Sequence, residues 1–288
     1  MSGGRHYDDP PAHAAALRQR LKNVYEIDDQ LAQRRVRTMA NVVVAQMLPS
    51  AAVKGGTAMN LRRGPAGSRF SIDLDVTCPR EVTEDEFMDE LNMNLGAGWE
   101  GFTGVAVRRP KSVPRNVPEV YVMLPVAVTL QYRGSSVGSV KLEIAIDEVD
   151  SLSRGTEVVA EDVVRLFTSV GLPPPKPVSV VSIEDQFVQK LHACTTPGAQ
   201  GRFERAHDLV DLQLLCVNEE LDLEQLNHVG RRLFAFRKRD QWPPTVVQHE
   251  GWDDLYAEAS EGLGLLSLPE AVDWVNDIVI RATATSSD

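Results

Sequence analysis

Two aspartates separated by one residue, Asp73 and Asp75, form the chemically most informative pair in this sequence. Side chains of a strand alternate between its two faces. A strand here would therefore place both carboxylates on one face and direct Ile72, Leu74 and Val76 into the core. Two neighbouring carboxylates repel each other unless a cation lies between them, and Mg²⁺ binds hard oxygen ligands together with substrate phosphates. The spacing predicts a Mg²⁺ site that also receives a phosphate group.

A glycine-rich segment lies a short distance upstream, where Lys54 precedes Gly55, Gly56 and Thr57. Glycine lets backbone N–H groups approach an anion closely, and threonine adds a hydroxyl. We expect this segment to be a turn that binds phosphate. Each motif alone is common in ordinary turns and on solvated strands, but their order within one short unit favours a nucleotide site.

These segments resemble the opening motifs of the AbiEii/AbiGii-type nucleotidyltransferase toxins, a group that includes the mycobacterial MenT toxins and lies within the DNA polymerase β-like superfamily. The matching residues are Lys-Gly-Gly-Thr at 54–57 and Arg-x-Ser-x-Asp-Leu-Asp at 69–75. Two later family motifs also have counterparts. Residues 190–195 fit Lys-x₄-Thr/Asn, and residues 205–211 fit Arg-x-Lys-Asp-x-x-Asp with His207 in place of the lysine. The long gap between Thr57 and Asp73 predicts a lengthened loop or an added turn of helix.

The resemblance implies a fold and a reaction. The fold would be α/β (α+β), with a polymerase β-like nucleotidyltransferase sheet followed by a mostly helical C-terminal lobe. The reaction would be Mg²⁺-dependent attack of an acceptor hydroxyl on the α-phosphate of an NTP, with release of pyrophosphate. The acceptor would be the 3′ end of tRNA. The biological role would be that of a translation-blocking toxin, neutralised by a cognate antitoxin protein.

The resemblance also gives roles to individual residues. Asp73 and Asp75 would hold the metal, while Lys190 would bind the nucleotide's phosphates and counter the charge that develops during transfer. Asp208 and Asp211 would position Lys190, the nucleotide or the acceptor, and the sequence does not choose between them. Lys54, Gly55, Gly56, Thr57 and Ser71 complete the candidate phosphate-binding set.

Polymerase β-like folds carry a third carboxylate on a strand beside the Asp-x-Asp strand. Residues 139–147 alternate apolar and polar side chains, with Glu143 and Asp147 on the polar side. Glu143 is our candidate for a third metal ligand or a proton acceptor, and Asp147, nearer the strand end, is the alternative. A charge that only faces solvent explains the same pattern equally well.

Ser71 has the same strand parity as Asp73 and Asp75, so we expect its hydroxyl to face the metal site. It would be a hydrogen-bonding residue or a site of regulatory phosphorylation. A phosphate there would add about 1.5–2 negative charges beside two carboxylates and oppose triphosphate binding.

Length, composition and charge define the broad class of protein. The chain has 288 residues, of which 43% are apolar and 25% charged, as in an ordinary soluble globular protein. Its net charge of −11 argues against a protein that coats nucleic acid, but it permits a tRNA-binding face. We expect a cytoplasmic location without a membrane partner, since no apolar leader or spanning run is present. Three cysteines without metal-binding spacing agree with a reducing compartment.

Three clusters of basic residues are candidates for nucleic-acid contact or for ordinary solvated surface. We favour contact only for the first cluster, because it lies beside the phosphate motif in sequence. The clusters are Arg62, Arg63 and Arg69; Arg108, Arg109, Lys111 and Arg115; and Arg231, Arg232, Arg237, Lys238 and Arg239.

Composition divides the chain into an N-terminal helical segment (1–48), a nucleotidyltransferase core (49–170) and a helical C-terminal lobe (178–288). A Pro-rich segment at 171–177 would separate the core from the lobe. We predict strands at 69–77, 119–132 and 139–147, and helices at 83–95, 183–193 and 203–215. Two other functions fit the same motifs: a nucleotidyltransferase that modifies a small molecule or a protein, and a non-catalytic binding module that retains the fold.

Overall fold

The computed structural model describes residues 6–65, 67–111, 122–198, 201–217, 219–238 and 240–284. The chain divides into two compact units. The first comprises Met1–Asp147 and Gly155–Val180, and the second comprises Glu148–Arg154 and Val181–Asp288.

One mixed sheet organises the first unit. Its strands within the described residues are β1 (Ala52–Lys54), β2 (Asp73–Cys78), β3 (Phe102–Arg108), β4 (Leu124–Tyr132), β5 (Ser135–Ile146), β6 (Thr156–Val158) and β7 (Val178–Val180). Their spatial order is β3-β4-β5-β2-β1-β7-β6. β2 runs parallel to β5 and antiparallel to β1, so it lies in the middle of the sheet. This position explains why Leu74 and Val76 are fully buried.

The helices of the first unit pack with the sheet around a common apolar core. Within the described residues they are α1 (Ala14–Tyr25), α2 (Asp29–Ala45), α3 (Gly55–Arg63), α4 (Glu84–Ala97) and α5 (Glu161–Thr168). The N-terminus of α4 is closed by a capping box between Thr83 and Glu86, and Phe87, Leu91 and Leu95 bury its apolar side. The core takes up the apolar side chains of β2 and β5, and their polar side chains point to the opposite face of the sheet.

The second unit is helical. Its described helices are α6 (Ile183–Thr195), α7 (His207–Cys216), α8 (Leu223–Arg237), α9 (Trp252–Ser260) and α10 (Leu268–Ala284), with a short 3-10 helix at Ser151–Arg154. Ion pairs bind the segment around this 3-10 helix to α6 and α8: Arg154 with Asp185 (2.7 Å), Arg237 with Glu148 (2.8 Å) and Arg232 with Asp150 (2.5 Å). These ion pairs join Glu148–Arg154 to the helices.

The α/β fold class predicted from the sequence is confirmed. Helices predicted at 83–95 and 183–193 correspond to α4 and α6 within two residues at each end. The strand predicted at 69–77 begins only at Asp73, so Ile72 precedes it and is 49% exposed instead of lying in the core. The helix predicted at 203–215 begins at His207, and the strand predicted at 139–147 already begins at Ser135. Of the strand predicted at 119–132, residues 119–121 lie outside the described residues.

The predicted regions 1–48, 49–170 and 178–288 differ from the two units in three respects. Helices α1 and α2 pack against β5, so the N-terminal segment belongs with the sheet. After the Pro-rich segment the chain returns to the sheet as β7, which pairs in parallel with β1. Glu148–Arg154 belongs to the second unit. Each difference comes from a contact between residues far apart in sequence, which composition does not report.

Candidate active site

Acidic and basic side chains form two rows across the polar face of the sheet. In the register of β2 and β5, Asp73 lies beside Lys141 and Asp75 lies beside Glu143. On the other side of β2, Lys54 at the end of β1 lies opposite Asp75. Lys141 Nζ is 3.1 Å from Asp73 Oδ1. The structure thus brings together the Asp-x-Asp pair, Glu143 and two lysines.

The environment of Glu143 favours its protonated form. Burial raises the pKa of Glu143, and the carboxylates of Asp75 and Asp73 raise it further, while Lys141 and Lys54 offset part of this effect. A carboxyl group held in this way can accept a proton near neutral pH more readily than an exposed one. Any additional positive charge at the site would favour the ionised form.

The alternative carboxylate, Asp147, has a different environment. It follows the last residue of β5 and is buried, and its backbone N–H donates to the carbonyl oxygen of Cys78 at 2.8 Å. Its own carbonyl oxygen accepts a hydrogen bond from Arg80 Nε at 2.5 Å. The strand register therefore places Glu143, and not Asp147, directly beside Asp75. The catalytic role of Glu143 stays a prediction.

The carboxylates of β2 have the chemistry that Mg²⁺ requires. Asp73 Oδ1 is shielded from solvent and receives no hydrogen bond of normal geometry from the described residues, although Lys141 lies close to it. No three His, Cys, Asp or Glu side chains in the described parts of the chain converge as a metal-binding group. The predicted three-carboxylate set with Glu143 is therefore not preformed. Mg²⁺ is commonly held by one or two carboxylates while phosphate oxygens complete its coordination shell. Asp73 and Asp75 fit this arrangement.

The segment predicted as a glycine-rich turn is the first turn of α3. Its backbone N–H groups have no acceptors within the helix, and the helix dipole favours an anion there. Gly55 has φ +64°, and a Cβ at this position would lie 2.2 Å from Asp75 Oδ2. Only glycine can thus bring this helix terminus against the carboxylate of Asp75 without displacing it.

The hydroxyl of Thr57 does not serve the predicted phosphate contact. Thr57 is 2% exposed, and its Oγ1 donates to the carbonyl oxygen of Asp73 at 2.9 Å. It also accepts a hydrogen bond from Asn41 Nδ2 at 3.3 Å. Because a hydroxyl has one proton, this side chain holds α3 against β2 and positions Asp73. Of Thr57, only the backbone N–H remains for a phosphate.

Ser71 lies in a different position from the one predicted. It precedes β2, so strand parity does not determine where its side chain points. Its hydroxyl donates to the carbonyl oxygen of Asp73 at 3.2 Å. A Cβ at Gly56 would lie 2.6 Å from Ser71 Oγ, so Ser71 packs against the first turn of α3. The side chain therefore borders the start of α3, the candidate phosphate site.

The first basic cluster is also placed differently. Arg62 and Arg63 are in the last turn of α3, whereas Gly55 and Gly56 are in the first. Arg62 Nη2 donates to Thr156 Oγ1 at 3.2 Å, and Arg63 Nε donates to the carbonyl oxygen of Gly67 at 3.3 Å. Proximity in sequence to the phosphate motif was thus a poor guide, since a helix separates its two ends.

A second cluster of candidate residues lies in the helical unit. Lys190 on α6 is 8% exposed, and its Nζ donates to Asp208 Oδ1 at 3.0 Å and to Asp211 Oδ2 at 2.6 Å. Arg205 Nε donates to Asp208 Oδ2 at 2.6 Å, and His207 Nε2 lies 3.8 Å from Asp208 Oδ1. Lys190 is therefore a buried, fixed cation and not an exposed helical lysine.

The charges of this cluster stabilise one another. Burial alone would lower the pKa of Lys190, but Asp208 and Asp211 raise it above its ordinary value. Burial alone would raise the pKa of Asp208, but Lys190 and Arg205 lower it to about 2. Lys190 and Asp208 are therefore ionised at neutral pH, and the two aspartates hold the ammonium in place. Their role in transfer stays a prediction.

Comparison with known proteins identifies the family. Residues 37–277 match the family model described as nucleotidyl transferase AbiEii toxin, type IV toxin–antitoxin system. The chain belongs to the AbiEii nucleotidyltransferase toxin family. It is therefore a nucleotidyltransferase, and the resemblance found in the motifs is confirmed. Membership of an AbiEii toxin–antitoxin family also implies an antitoxin partner.

Comparison with solved structures concerns the fold alone. MenT4, a nucleotidyltransferase toxin from Mycobacterium tuberculosis, aligns with a TM-score of 0.50 and 16% identity, over 94% of this chain and 98% of its own. An antigenic nucleotidyltransferase-like protein from Paracoccidioides brasiliensis aligns with a TM-score of 0.38 and 19% identity, over 70% and 88%. No curated protein sequence matches this chain significantly. Among the described residues, no helix has both the length and the apolar character needed to cross a membrane.

Two residues of this AbiEii site were given no role by the sequence reasoning. Lys141 lies two positions before Glu143 on the same face of β5, so strand alternation was a usable signal for it. Asn41, which bonds to Thr57, lies on α2 and carried no comparable signal. Its position follows from tertiary packing of two helices.

Proposed function

We propose that this AbiEii-family enzyme transfers a nucleotide from an NTP to the 3′ end of tRNA and so blocks translation in the cytoplasm, until its cognate antitoxin neutralises it. The observation that carries the nucleotide-transfer chemistry is the approach of Gly55, in the first turn of α3, to the carboxylate of Asp75. The helix terminus to which we assign phosphate binding thus lies against one of the paired carboxylates. The choice of tRNA rests on the resemblance to AbiEii/AbiGii toxins.

In this proposal Asp73 and Asp75 would hold Mg²⁺ together with the bound nucleotide. The metal would supply charge neutralisation and alignment of the phosphates. Lys54 and the N–H groups of Gly55 and Gly56 bind phosphate oxygens at the start of α3. The register of β1 with β2, and the start of α3 directly after Lys54, support this assignment.

Glu143 accepts the proton of the attacking acceptor hydroxyl. Its raised pKa suits this role, and its position beside Asp75 keeps it on the same face of the sheet. Lys190 supplies positive charge to the phosphates during transfer, and Asp208 and Asp211 keep its ammonium oriented.

The acceptor is the point on which this proposal differs from its alternatives. We would incubate the protein and Mg²⁺ with each labelled NTP and three acceptor pools: total tRNA, a small-molecule extract and a protein extract. The proposal predicts label on tRNA, and no label on tRNA whose terminal 2′,3′-diol has been oxidised with periodate. Label in another pool alone would assign a different acceptor. Nucleotide binding without transfer to any pool would favour the non-catalytic module.

A further inference from the structure

A depression of about 560 Å³ on the helical unit is not used by the proposed reaction. The side chains that line it include Arg231, Phe234, Lys238, Asp240, Gln241 and Trp242. It thus combines an indole ring, two cations and an amide within one surface feature. Arg231 and Lys238 belong to the third basic cluster of the sequence, whose Arg239 lies outside the described residues.

The indole ring of Trp242 is held in one orientation by its surroundings. Its Nε1 donates to Asn227 Oδ1 at 2.7 Å, and its ring meets Phe234 edge to face, with centroids 5.5 Å apart. A Cβ at Gly230 would lie 2.5 Å from the ring, so glycine at this position of α8 makes room for the indole. A ring fixed in this way loses little conformational entropy when a ligand stacks on it.

Asn227 holds a cation beside this ring. The residue is 2% exposed, and the oxygen that accepts from Trp242 also accepts from Arg231 Nε at 3.3 Å. One buried amide therefore fixes the indole and the guanidinium next to each other. A buried polar side chain that orients two neighbouring groups is a feature of built binding sites.

Arg231 and Lys238 line the depression together with one acid, Asp240, whose carboxylate accepts a hydrogen bond from Thr196 Oγ1. Arg232 and Arg237 on the same helix pair with Asp150 and Glu148. In contrast, neither Arg231 nor Lys238 forms an ion pair with any residue that the structure describes. Positive charge is thus available here for an anionic ligand, although the whole chain is acidic.

We propose that this depression binds one unpaired nucleotide of the RNA acceptor. The base stacks on Trp242, and the adjoining phosphate binds Arg231 and Lys238. Asp240 and Gln241 supply acceptor and donor atoms for a base edge; the Asp240 carboxylate already accepts from Thr196 Oγ1 at 2.6 Å. An acidic peptide would use the two cations but would leave the fixed ring without a stacking partner. This inference rests on the proposed function, since the ligand is the acceptor RNA.

Fluorescence of the full-length protein tests the stacking directly. A short single-stranded oligoribonucleotide should quench tryptophan emission in the wild type, and Trp242→Phe should remove most of that quenching. Trp274→Phe, which alters another half-buried tryptophan of the same unit, should leave it in place. Equal quenching in the wild type and in Trp242→Phe would overturn the proposal, as would an acidic peptide that quenches equally and displaces the RNA.

The phosphate contact has its own test. Arg231→Gln combined with Lys238→Gln should reduce the slope of log K against log salt for RNA binding by about 1.4, the value for two lost contacts to single-stranded nucleic acid. Arg232→Gln, whose arginine is paired with Asp150, should change the slope much less. An unaltered slope in the double variant would contradict the assignment.

The failure of this inference can be distinguished from failure of the proposed function. Asp73→Asn should abolish transfer and still show Trp242 quenching by RNA. Transfer to tRNA with no Trp242 quenching would overturn only the stacking site. Trp242 quenching without transfer to any RNA would support the stacking site and overturn the proposed reaction.

Discussion

Lys141 Nζ lies 3.1 Å from Asp73 Oδ1, on neighbouring parallel strands whose register sets the two residues side by side. The chain thus carries its own cation against a carboxylate predicted to bind metal. Since 66% of the Lys141 side chain is exposed, solvent screens this pair, and the pair contributes less than a buried one. Its main consequence is that the Lys141 ammonium competes with a metal ion for the carboxylate of Asp73.

We predict that Lys141→Met strengthens Mn²⁺ or Mg²⁺ binding to the protein by about two- to fivefold. Removing the ammonium makes the electrostatic potential at the Asp73 carboxylate more negative. An exposed ion pair contributes up to about 1 kcal/mol, which sets the size of the effect. Titration calorimetry, or Mn²⁺ electron paramagnetic resonance, measures this without any turnover. Lys111→Met is the matched control, because Lys111 pairs with Glu84 instead. Weaker metal binding in Lys141→Met would show that Lys141 supports the site in another way.

Gly55→Ala should eliminate detectable transfer. The added Cβ would meet Asp75 Oδ2 at 2.2 Å, and φ +64° is unfavourable for alanine by about 1–2 kcal/mol. Gly96→Ala on α4 is the control, since a Cβ there meets nothing within 4 Å and alanine favours a helix. Gly55→Ala should lower both the activity and the melting temperature, whereas Gly96→Ala should lower neither. Full activity in Gly55→Ala would mean that the placement of Asp75 against α3 has no role.

Lys190→Met should destabilise the protein by about 3–5 kcal/mol, because it leaves two buried carboxylates without their common cation. Adding Asp211→Asn should restore much of the lost stability by removing one of the two charges. If Lys190 also serves transfer, the double variant stays slower than the wild type by about two orders of magnitude. Chemical denaturation and transfer rates at a temperature where all variants are folded give both quantities. Recovery of rate together with stability would assign Lys190 a structural role alone.

Ser71→Glu should reduce transfer more than Ser71→Ala. The glutamate brings negative charge to the first turn of α3, where it competes with a substrate phosphate, whereas alanine removes only the bond to the Asp73 carbonyl oxygen. Most of the loss of activity in Ser71→Glu should appear as a higher KM for NTP. Equal rates in the wild type and both variants would remove Ser71 from the phosphate site and end the case for regulation there.

The sequence was informative where local periodicity and motif chemistry determine structure. Alternation predicted that Leu74 and Val76 lie in the core and that Glu143 shares a polar strand face, and helical periodicity predicted α4 within two residues at each end. Three features depend on contacts between distant segments and could not be predicted: the pairing of Lys141 with Asp73, the burial of the Thr57 hydroxyl under Asn41, and the return of the chain to the sheet as β7.

The same limit explains the errors near the site. Strand parity does not apply at Ser71 because β2 begins two residues later, and the position at which a strand starts depends on its neighbours β1 and β5. Arg62 and Arg63 are close to the phosphate motif in sequence, but they lie at the opposite end of α3 from Gly55.

The most direct test of the central claim is nucleotide transfer to tRNA by Asp73→Asn, measured with labelled NTP and Mg²⁺ beside the wild type. Asparagine preserves the shape of the side chain but removes the charge that would hold the metal. The account predicts an unchanged melting temperature and a loss of rate of at least about a hundred- to a thousandfold, the scale of removing one essential electrostatic group. A folded Asp73→Asn protein that transfers nucleotide to tRNA at the wild-type rate would contradict it.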